Sequence, residues 1–292
     1  MLNGFINLNK TKGMSSAKAV AKLNNLLKSS GADHGKIGHL GTLDPDAEGV
    51  LPVALGRATR LFNYFLDKKK VYYTEFVFGK TTDTLDESGK ITDICDKIPD
   101  FAAIEAALPS FAGRISQIPP EYSAIQVNGQ RAYELARTGK DFYLKARDVD
   151  IYNIKLLESL CGGVYSFRIE CGGGTYIRSI ARDLGLSLGS LAYMRYLKRL
   201  QSGPFSIESA YTLDELAEGA IKDKIVPLEK VVKETFPAYH LDGSLAAKAV
   251  NGVRVTAKGM PNKDFALYIG GELIGIACSD AKGGLNIKTR LI

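Results

Sequence analysis

The sequence contains few of the residues that build metal sites and disulfide frameworks. Its 292 residues include only four cysteines and three histidines. None of the cysteines forms a C-x-x-C pair, so a structural zinc site is not expected. The cysteines are scattered along the chain, at Cys95, Cys161, Cys171 and Cys278. Isolated thiols of this kind fit a reducing, cytoplasmic setting.

Long apolar segments are missing as well. The N-terminus has no apolar region of the kind that secretory signals carry, and no run approaches the length needed to cross a membrane. We therefore expect a protein that is neither exported by an evident signal nor inserted in a membrane.

The composition that remains is ordinary for a globular protein. Hydrophobic residues make up 45% and charged residues 24% of the chain, which is long enough for one large domain or a domain with a small partner. Lysine and arginine number 38 against 32 acidic residues, which gives a net charge of +6. This excess suits a polyanionic partner, but many proteins without one also carry it.

Short strands and helices are interleaved in the predicted secondary structure, without strict βαβ repetition. We therefore predict an α+β fold with a mainly antiparallel sheet. The region 81–90 is predicted as a polar loop, and Gly185 as the C-cap of a helix. Strands are predicted at 4–8, 71–78, 164–171, 265–269, 272–277 and 285–292. Helices are predicted after Ser15 or Ser16, at 101–108 and 175–184, after Thr212, and at 244–250.

The composition shifts near Pro237. The residues beyond it are β-rich and include a Gly-Gly hairpin at Gly270 and Gly271. We therefore predict a domain at 1–236 and a small separate unit at 237–292.

The stretch 36–60 places one carboxylate, Asp44, between glycines and a proline. Gly38 and Gly41 allow close approach of a ligand to the backbone, and Pro45 stiffens the loop that holds Asp44. An Asp-Pro turn is the ordinary reading of such a pair. The polar flanks and the apolar run that follows favour a functional loop anchored to a core.

Residues 38–52 carry a long ungapped motif. They read Gly-His-Leu-Gly-Thr-Leu-Asp-Pro-Asp-Ala-Glu-Gly-Val-Leu-Pro, which resembles the signature of the bacterial tRNA pseudouridine-55 synthases of the TruB type. The catalytic aspartate of that family corresponds to Asp44, and Asp46 falls at a variable position. The resemblance implies a pseudouridine synthase domain with a long mixed, mainly antiparallel sheet at 1–236, followed by a PUA-like RNA-binding domain at 237–292.

Two further motifs would complete the catalytic set. Lys70-Val71-Tyr72 reads from its residues as the start of a strand, and the resemblance assigns Tyr72 to stacking on the target base and to proton transfer. Gly174-Thr175-Tyr176-Ile177-Arg178 does not fit phosphate-loop spacing, and Arg178 could be a solvated helix charge. The resemblance pairs Arg178 with Asp44, which would keep the carboxylate ionised.

The resemblance also implies substrate-binding residues. Tyr176 lies in the arginine motif, and Leu197 would pack under the target base, although plain core packing explains a single leucine as well. His39 would enter the T loop and take the space that the flipped nucleotide leaves. Lys10 would support the active site from a turn in which Thr11 replaces the usual proline.

The segment 119–147 combines basic residues with tyrosines, which suits an RNA surface or a charged surface helix. In the family it is an insertion that grips the T arm of tRNA, and Arg131 is its candidate RNA contact. Gln126 replaces a lysine common in the family, which puts one contact in doubt.

The function implied is an isomerase that converts uridine 55 of tRNA to pseudouridine by base flipping and aspartate catalysis. The aspartate could attack either ribose C1′ or base C6, and both alternatives are open. No cofactor or metal is expected, and the expected partner is the tRNA T stem-loop, bound by a monomer without an obligatory protein partner. Two alternatives are a metal-dependent phosphohydrolase using Asp44, Asp46 and Glu48, and a non-catalytic RNA-binding protein.

Overall fold

Strands and helices alternate along the chain in the computed structural model, which describes residues 2–139, 141–251, 253–256, 258–280 and 283–292. The strands are β1 (Gly4–Lys10), β2 (Ile37–His39), β3 (Glu48–Leu55), β4 (Lys70–Phe78), β5 (Lys80–Thr82), β6 (Ile91–Ile94), β7 (Gly113–Gln117), β8 (Gln126–Val127), β9 (Gln130–Arg131), β10 (Arg147–Ser159), β11 (Val164–Cys171), β12 (Ala192–Ser202), β13 (Phe205–Ser206), β14 (Val226–Pro227), β15 (Ala238–Leu241), β16 (Phe265–Ile269), β17 (Glu272–Ser279) and β18 (Leu285–Arg290).

The α-helices are mostly short. They are α1 (Ser16–Ser29), α2 (Phe62–Leu66), α3 (Phe101–Ala107), α4 (Ala132–Arg137), α5 (Ile177–Ser187), α6 (Leu213–Glu218), α7 (Leu228–Thr235) and α8 (Gly243–Val250). Short 3-10 turns lie at Gly56–Leu61, Leu108–Phe111, Ile207–Ser209 and Ile221–Lys224. In the described part of the chain, no helix is long and apolar enough to cross a membrane.

One large mixed sheet organises most of the molecule. Its strand order is β14-β1-β3-β12-β4-β11-β10-β7, with β13 added beside β12 and β2 beside β3. The pairing of β3 with β12 is parallel, and the other pairings in this sheet are antiparallel. The predicted α+β fold with a mainly antiparallel sheet is therefore confirmed.

Helices α1, α3 and α5 cover one face of this sheet. Leu23 and Leu27 of α1 and Ile180 of α5 are buried in one cluster with Leu51 of β3 and Phe76 of β4. Helix α1 begins as predicted, because the hydroxyl of Ser15 accepts a hydrogen bond from the backbone N–H of Lys18. This packing fixes the N-terminal end of α1 and the first turn of α5 over the central strands.

The last part of the chain forms a second sheet, in the order β15-β16-β17-β18. The hairpin predicted between β16 and β17 is present. This sheet has a hydrophobic cluster of its own that includes Phe265 and Leu267. Its other side joins a cluster with Phe5, Phe65 and Val232, so the second sheet also packs on the face of the large sheet opposite α1.

Two predicted features differ in the structure. The region 81–90 is not simply a loop, since β5 enters it and pairs with β6. Strand β11 alternates apolar residues with polar ones, a pattern that predicts one buried face, yet Ser166 on the polar face is 0% exposed. A small cluster of Val77, Val164 and Tyr193 covers part of that second face.

Gly185 lies inside α5 and is not its C-cap. The helix continues to Ser187, and Gly189, with φ +65°, follows it. A Cβ at Gly185 would lie 2.7 Å from the backbone nitrogen of Ala192 in β12. Glycine is therefore required here by the close approach of β12 to the helix, and not by the conformation of a helix terminus.

We expect Gly185→Ala to lower the free energy of unfolding by about 1–3 kcal/mol, because the added methyl group overpacks the contact with Ala192. Glycine-to-alanine changes inside helices normally stabilise by about 1 kcal/mol. The sign of the change in unfolding free energy therefore distinguishes a glycine required by packing from an ordinary helical glycine. Urea unfolding measures the change. Gly219→Ala is the control, since its Cβ would sit 3.4 Å from the Glu215 carbonyl, an ordinary contact. Equal or higher stability of Gly185→Ala would contradict the assignment.

Candidate active site

The loop that carries Asp44 is anchored on its N-terminal side by α1. The buried hydroxyl of Ser16 donates to the carbonyl of Leu43 and accepts from its N–H, both at 2.9 Å. One side chain thus satisfies both backbone groups of the residue before Asp44. Ser15, and not Ser16, caps the helix, which leaves Ser16 free for this contact.

The turn after β1 anchors the other side of the loop. The carbonyl of Pro45 accepts hydrogen bonds from the N–H groups of Gly13 and Met14 and from Nζ of Lys10, at 3.0, 3.2 and 3.0 Å. Lys10 Nζ also donates to the carbonyls of Thr11 and Met14. The ammonium donates to three backbone carbonyls, so Lys10 holds the loop and does not face solvent.

Arg199 is a third anchor, and the sequence reasoning missed it. This residue of β12 is 1% exposed. Its Nε donates to the carbonyl of Val50 at 2.7 Å, and its Nη atoms donate to Gly41 and Thr42. The guanidinium therefore ties together the chain before and after Asp44. An arginine on the buried face of a strand was the available signal.

Asp44 contacts Arg178 in the structure. Arg178 Nε lies 3.1 Å from Asp44 Oδ2, the arginine side chain is 6% exposed, and the carboxylate is 35% exposed. Helix α5 supplies the arginine from its first turn. The arginine of this pair is therefore buried, whereas the carboxylate is partly accessible to solvent.

The remaining nitrogens of Arg178 are also engaged. Nη1 lies 3.3 Å from Asp86 Oδ2 and donates to the carbonyl of Thr84, and Nη2 donates to the carbonyl of Tyr122. The guanidinium that was expected to pair with Asp44 is thus shared between two carboxylates and two carbonyls. Through Tyr122 it reaches the segment 119–147.

Asp86 lies in the region predicted as a polar loop and had no distinctive sequence signal. Its other carboxylate oxygen accepts from Thr84 and from both the N–H and the hydroxyl of Ser88. Leu85, just before it, has φ +60°, an unusual conformation for a leucine. Backbone strain of this kind persists where the surrounding contacts hold it in place. Here those contacts are the ones that the Thr84 carbonyl and the Asp86 carboxylate make with Arg178.

The acidities of Asp44 and Tyr72 are perturbed. Burial raises the pKa of Asp44, and Asp86 adds to this, while Arg178 opposes it. Arg178 therefore favours the ionised carboxylate, as expected, but its effect on the pKa is smaller than that of burial. Burial raises the pKa of Tyr72 to about 12, and the charge of Asp44 contributes in the same direction. The phenol is thus protonated at neutral pH.

The predicted substrate-binding residues are spread over several elements. Tyr176 is the N-cap residue of α5, and Gln117 holds it by accepting from its N–H and donating to its carbonyl. Leu197 is buried in the cluster that contains Tyr72. His39 ends β2, and Arg131 is an exposed residue before α4 that donates to the carbonyl of Ala124.

The acidic cluster of the hydrolase alternative does not form. Glu48 turns towards β12, where its carboxylate accepts from the hydroxyl of Tyr196 and lies 3.6 Å from Lys198 Nζ. In the described ranges no group of three or more His, Cys, Asp or Glu residues is arranged to hold a metal ion. Asp44, Asp46 and Glu48 are therefore not a set of converging ligands.

Solved structures share this fold over nearly the whole chain. A chain in the crystal structure of a Cbf5-Nop10-Gar1 complex superposes with a TM-score of 0.74 at 27% identity, covering 99% of this chain and 85% of that one. A chain in an H/ACA RNP bound to a substrate RNA containing 2′-deoxyuridine gives a TM-score of 0.72 at 25% identity, covering 99% and 85%.

Sequence comparison gives the family. The model of the TruB family pseudouridylate synthase N-terminal domain matches residues 28–177, and that of the tRNA pseudouridylate synthase B C-terminal domain matches residues 178–234. A tRNA pseudouridine synthase B from Zymomonas mobilis is 39% identical, covering 98% of this chain and 88% of that protein. One from Clostridium kluyveri is 37% identical, covering 94% and 95%. This chain therefore belongs to the TruB family of pseudouridylate synthases.

We expect Arg178→Lys to lower kcat/KM by about 10²-fold or more, although it keeps the charge. A single ammonium cannot serve Asp44, Asp86 and two carbonyls at once, and each buried group left unsatisfied costs about 1–3 kcal/mol. Steady-state kinetics and urea unfolding measure the two losses. Arg182→Lys, one turn further along α5, is the matched control and should remain near wild type. A near-normal rate for Arg178→Lys would place this residue outside the reacting centre.

Proposed function

We propose that this protein converts uridine 55 in the T loop of tRNA to pseudouridine. The family relationship supports the reaction class. The observation that carries the proposal is the partly exposed Asp44 carboxylate, held on an anchored loop with Arg178 behind it and Tyr72 close enough to feel its charge. An attacking group needs this combination of access and fixed position.

The target base has to leave the RNA stack before Asp44 can reach it, at a cost of a few kcal/mol. The Asp44 carboxylate then attacks ribose C1′. A C1′–O bond forms as the C1′–N1 bond breaks, and the uracil leaves with the electron pair of that bond. The uracil rotates, its C5 attacks C1′, and the Asp44 carboxylate is released. No electrons are gained or lost overall.

The last step removes the proton from C5, which needs a base, and N1 takes up a proton, so that the product is an isomer of the substrate. Asp44, freed from the sugar, suits this role because burial raises its pKa above that of an ordinary carboxylate. Tyr72 does not suit it, since a phenol with a pKa of about 12 keeps its proton at neutral pH. We therefore assign Tyr72 to stacking on the base and to donating a hydrogen bond.

Several surfaces would hold the tRNA. His39 would occupy the space left by the flipped base, Tyr176 and Leu197 would contact the base itself, and Lys10 would support the loop. The segment 119–147, with exposed Arg131, would grip the T arm, and residues 237–292 would form a PUA-like RNA-binding domain behind the catalytic domain 1–236. Each surface is a separate target for mutagenesis.

A monomer is sufficient for this reaction, because Asp44, Tyr72, Arg178 and Asp86 all come from one chain. We propose that it acts on tRNA without a protein partner. A cytoplasmic location suits the four free cysteines. Tritium release from tRNA labelled at uridine C5, followed by mapping of the modified position, tests the function directly. Absence of release from T-loop uridine would refute it.

Asp44→Asn should abolish tritium release while leaving thermal unfolding and most tRNA affinity unchanged, because the amide keeps the shape and loses the nucleophile. Asp46→Asn is the matched control, two residues away on the same loop, and should stay within about twofold of the wild-type rate. Similar rates for the two variants would refute the choice of carboxylate.

Tyr72→Phe should lower kcat by about 10²-fold with little change in KM, since the ring remains for stacking and only the hydroxyl is lost. The protonated hydroxyl is the active form, so the wild-type kcat should not rise as the pH is increased from neutral towards 9. A tenfold rise per pH unit would show that the phenolate acts as a base.

A further inference from the structure

The first turn of α5, which carries Arg178, begins without a side-chain cap. Its N-cap residue is Tyr176, and among the described residues of this helix start the tyrosine side chain makes no capping hydrogen bond. The first N–H groups of a helix have no partner inside the helix, and a polar side chain at the N-cap normally satisfies one of them. Contacts with other elements therefore have to hold this end of α5.

A buried glutamine makes such a contact. Gln117, the last residue of β7, is 0% exposed. Its Oε1 accepts a hydrogen bond from the N–H of Tyr176 at 2.9 Å, and its Nε2 donates to the carbonyl of Tyr176 at 3.1 Å. The same carbonyl accepts the first hydrogen bond within the helix, from the N–H of Ile180. Gln117 therefore pairs with the backbone of Tyr176 as a residue of a neighbouring strand would.

The position of β7 explains why a glutamine serves here. Strand β7 is the end strand of the large sheet, with β10 as its neighbour, so the glutamine amide reaches across the edge of the sheet to α5. A buried amide needs partners for both its donor and its acceptor, and Tyr176 provides both. An apolar side chain could fill the same volume, but it would leave the N–H of Tyr176 without this partner.

The chain directly after β7 binds the same turn of α5. The carbonyl of Ile118 accepts from the hydroxyl of Ser179 at 2.9 Å, and the carbonyl of Tyr122 accepts from Arg178 Nη2 at 3.1 Å. The start of the segment 119–147 is thus fastened to the helical turn that supplies the arginine. Together these contacts fix the turn from one side.

This turn lies beside the reacting carboxylate. Arg178 Nε is 3.1 Å from Asp44 Oδ2. Burial raises the pKa of Tyr176, and the charge of Asp44 acts in the same direction, so the phenol also lies within electrostatic reach of Asp44. A misplacement of about 1 Å at a reacting centre can lower a rate by about 10²-fold. The contact that fixes Tyr176 therefore bears on the geometry of the ion pair.

We propose that Gln117 is a positioning residue for the reaction. It holds the backbone of Tyr176 so that the first turn of α5 places the Arg178 guanidinium against Asp44. Because Gln117 is fully buried, it acts through Arg178 and does not touch the RNA. This role rests on the proposed function, since its effect is on the rate of that reaction.

Removal of the amide tests the role. Gln117→Leu keeps a similar volume and deletes both hydrogen bonds, and Gln117→Glu keeps the acceptor and loses the donor. In both variants kcat for tritium release should fall about tenfold or more. The dissociation constant for an unmodified tRNA transcript should stay within about threefold, because no group that contacts RNA is lost. The stoichiometry of tRNA binding gives the folded fraction, to which kcat is referred.

Gln201→Leu is the matched control. The Nε2 of this half-buried glutamine also donates to a carbonyl, that of Gly203 at 2.9 Å, but it lies on β12, away from the start of α5. Its kcat should stay within about twofold of the wild-type value.

A double-mutant cycle separates positioning from general support of the fold. In the Arg178→Lys background, Gln117→Leu should lower kcat by less than about twofold further, because the arginine that it positions is already gone. A glutamine that only stabilised the fold would lower kcat by the same factor in both backgrounds. Equal factors, or wild-type kcat in both Gln117 variants, would overturn the positioning role alone. A wild-type protein inactive on T-loop uridine would overturn the proposed function instead.

Discussion

The buried guanidinium of Arg178 is the contact on which the candidate site depends. A charge that is 6% exposed is strongly destabilising unless it is paired and hydrogen-bonded. Arg178 meets this requirement with Asp44, Asp86 and the carbonyls of Thr84 and Tyr122. Three separate parts of the chain therefore have to converge on the first turn of α5, and the Asp44 loop is one of them.

The Asp44 loop is itself held by buried cations, and these donate to backbone carbonyls and not to carboxylates. Lys10 and Arg199 are both about 1% exposed, and both place their charges on backbone carbonyls at either side of Asp44. Cationic donors to carbonyls are stronger than neutral ones, so the loop is fixed before substrate binds. Lys70 repeats the device by donating to the carbonyls of Leu66 and Lys68. Preorganisation of this kind is what a positioned nucleophile needs.

The buried cations and the open carboxylate together divide the site into a rigid floor and an accessible face. Burial lowers the pKa of Lys10 to about 8, and the nearby charges of Asp46 and Asp44 oppose this. The pKa of Asp44 is raised by the same burial. Desolvation is the largest cause of both pKa shifts. The pKa values of these two groups are therefore set mainly by packing, and the individual ion pairs adjust them.

Local sequence features determined the elements and the identity of the main carboxylate. Ser15, the apolar face with Leu23 and Leu27, and the strand patterns specify structure within one or two turns, and the motif around Asp44 identifies the loop. Such features act between neighbours in the chain, so a sequence read alone can show them.

Only the tertiary structure decided what surrounds these elements. It brought Asp86 beside Arg178, put Arg199 under the loop, and made Gly185 a packing residue instead of a helix terminus. The contacts of Arg178 and Arg199 join residues that are tens to more than a hundred positions apart. Their partners are set by the register of β12 against β3 and β4 and by the fit of α5 on the sheet. Burial also raised the pKa of Tyr72, because desolvation depends on the atoms that enclose a group and not on its neighbours in the chain.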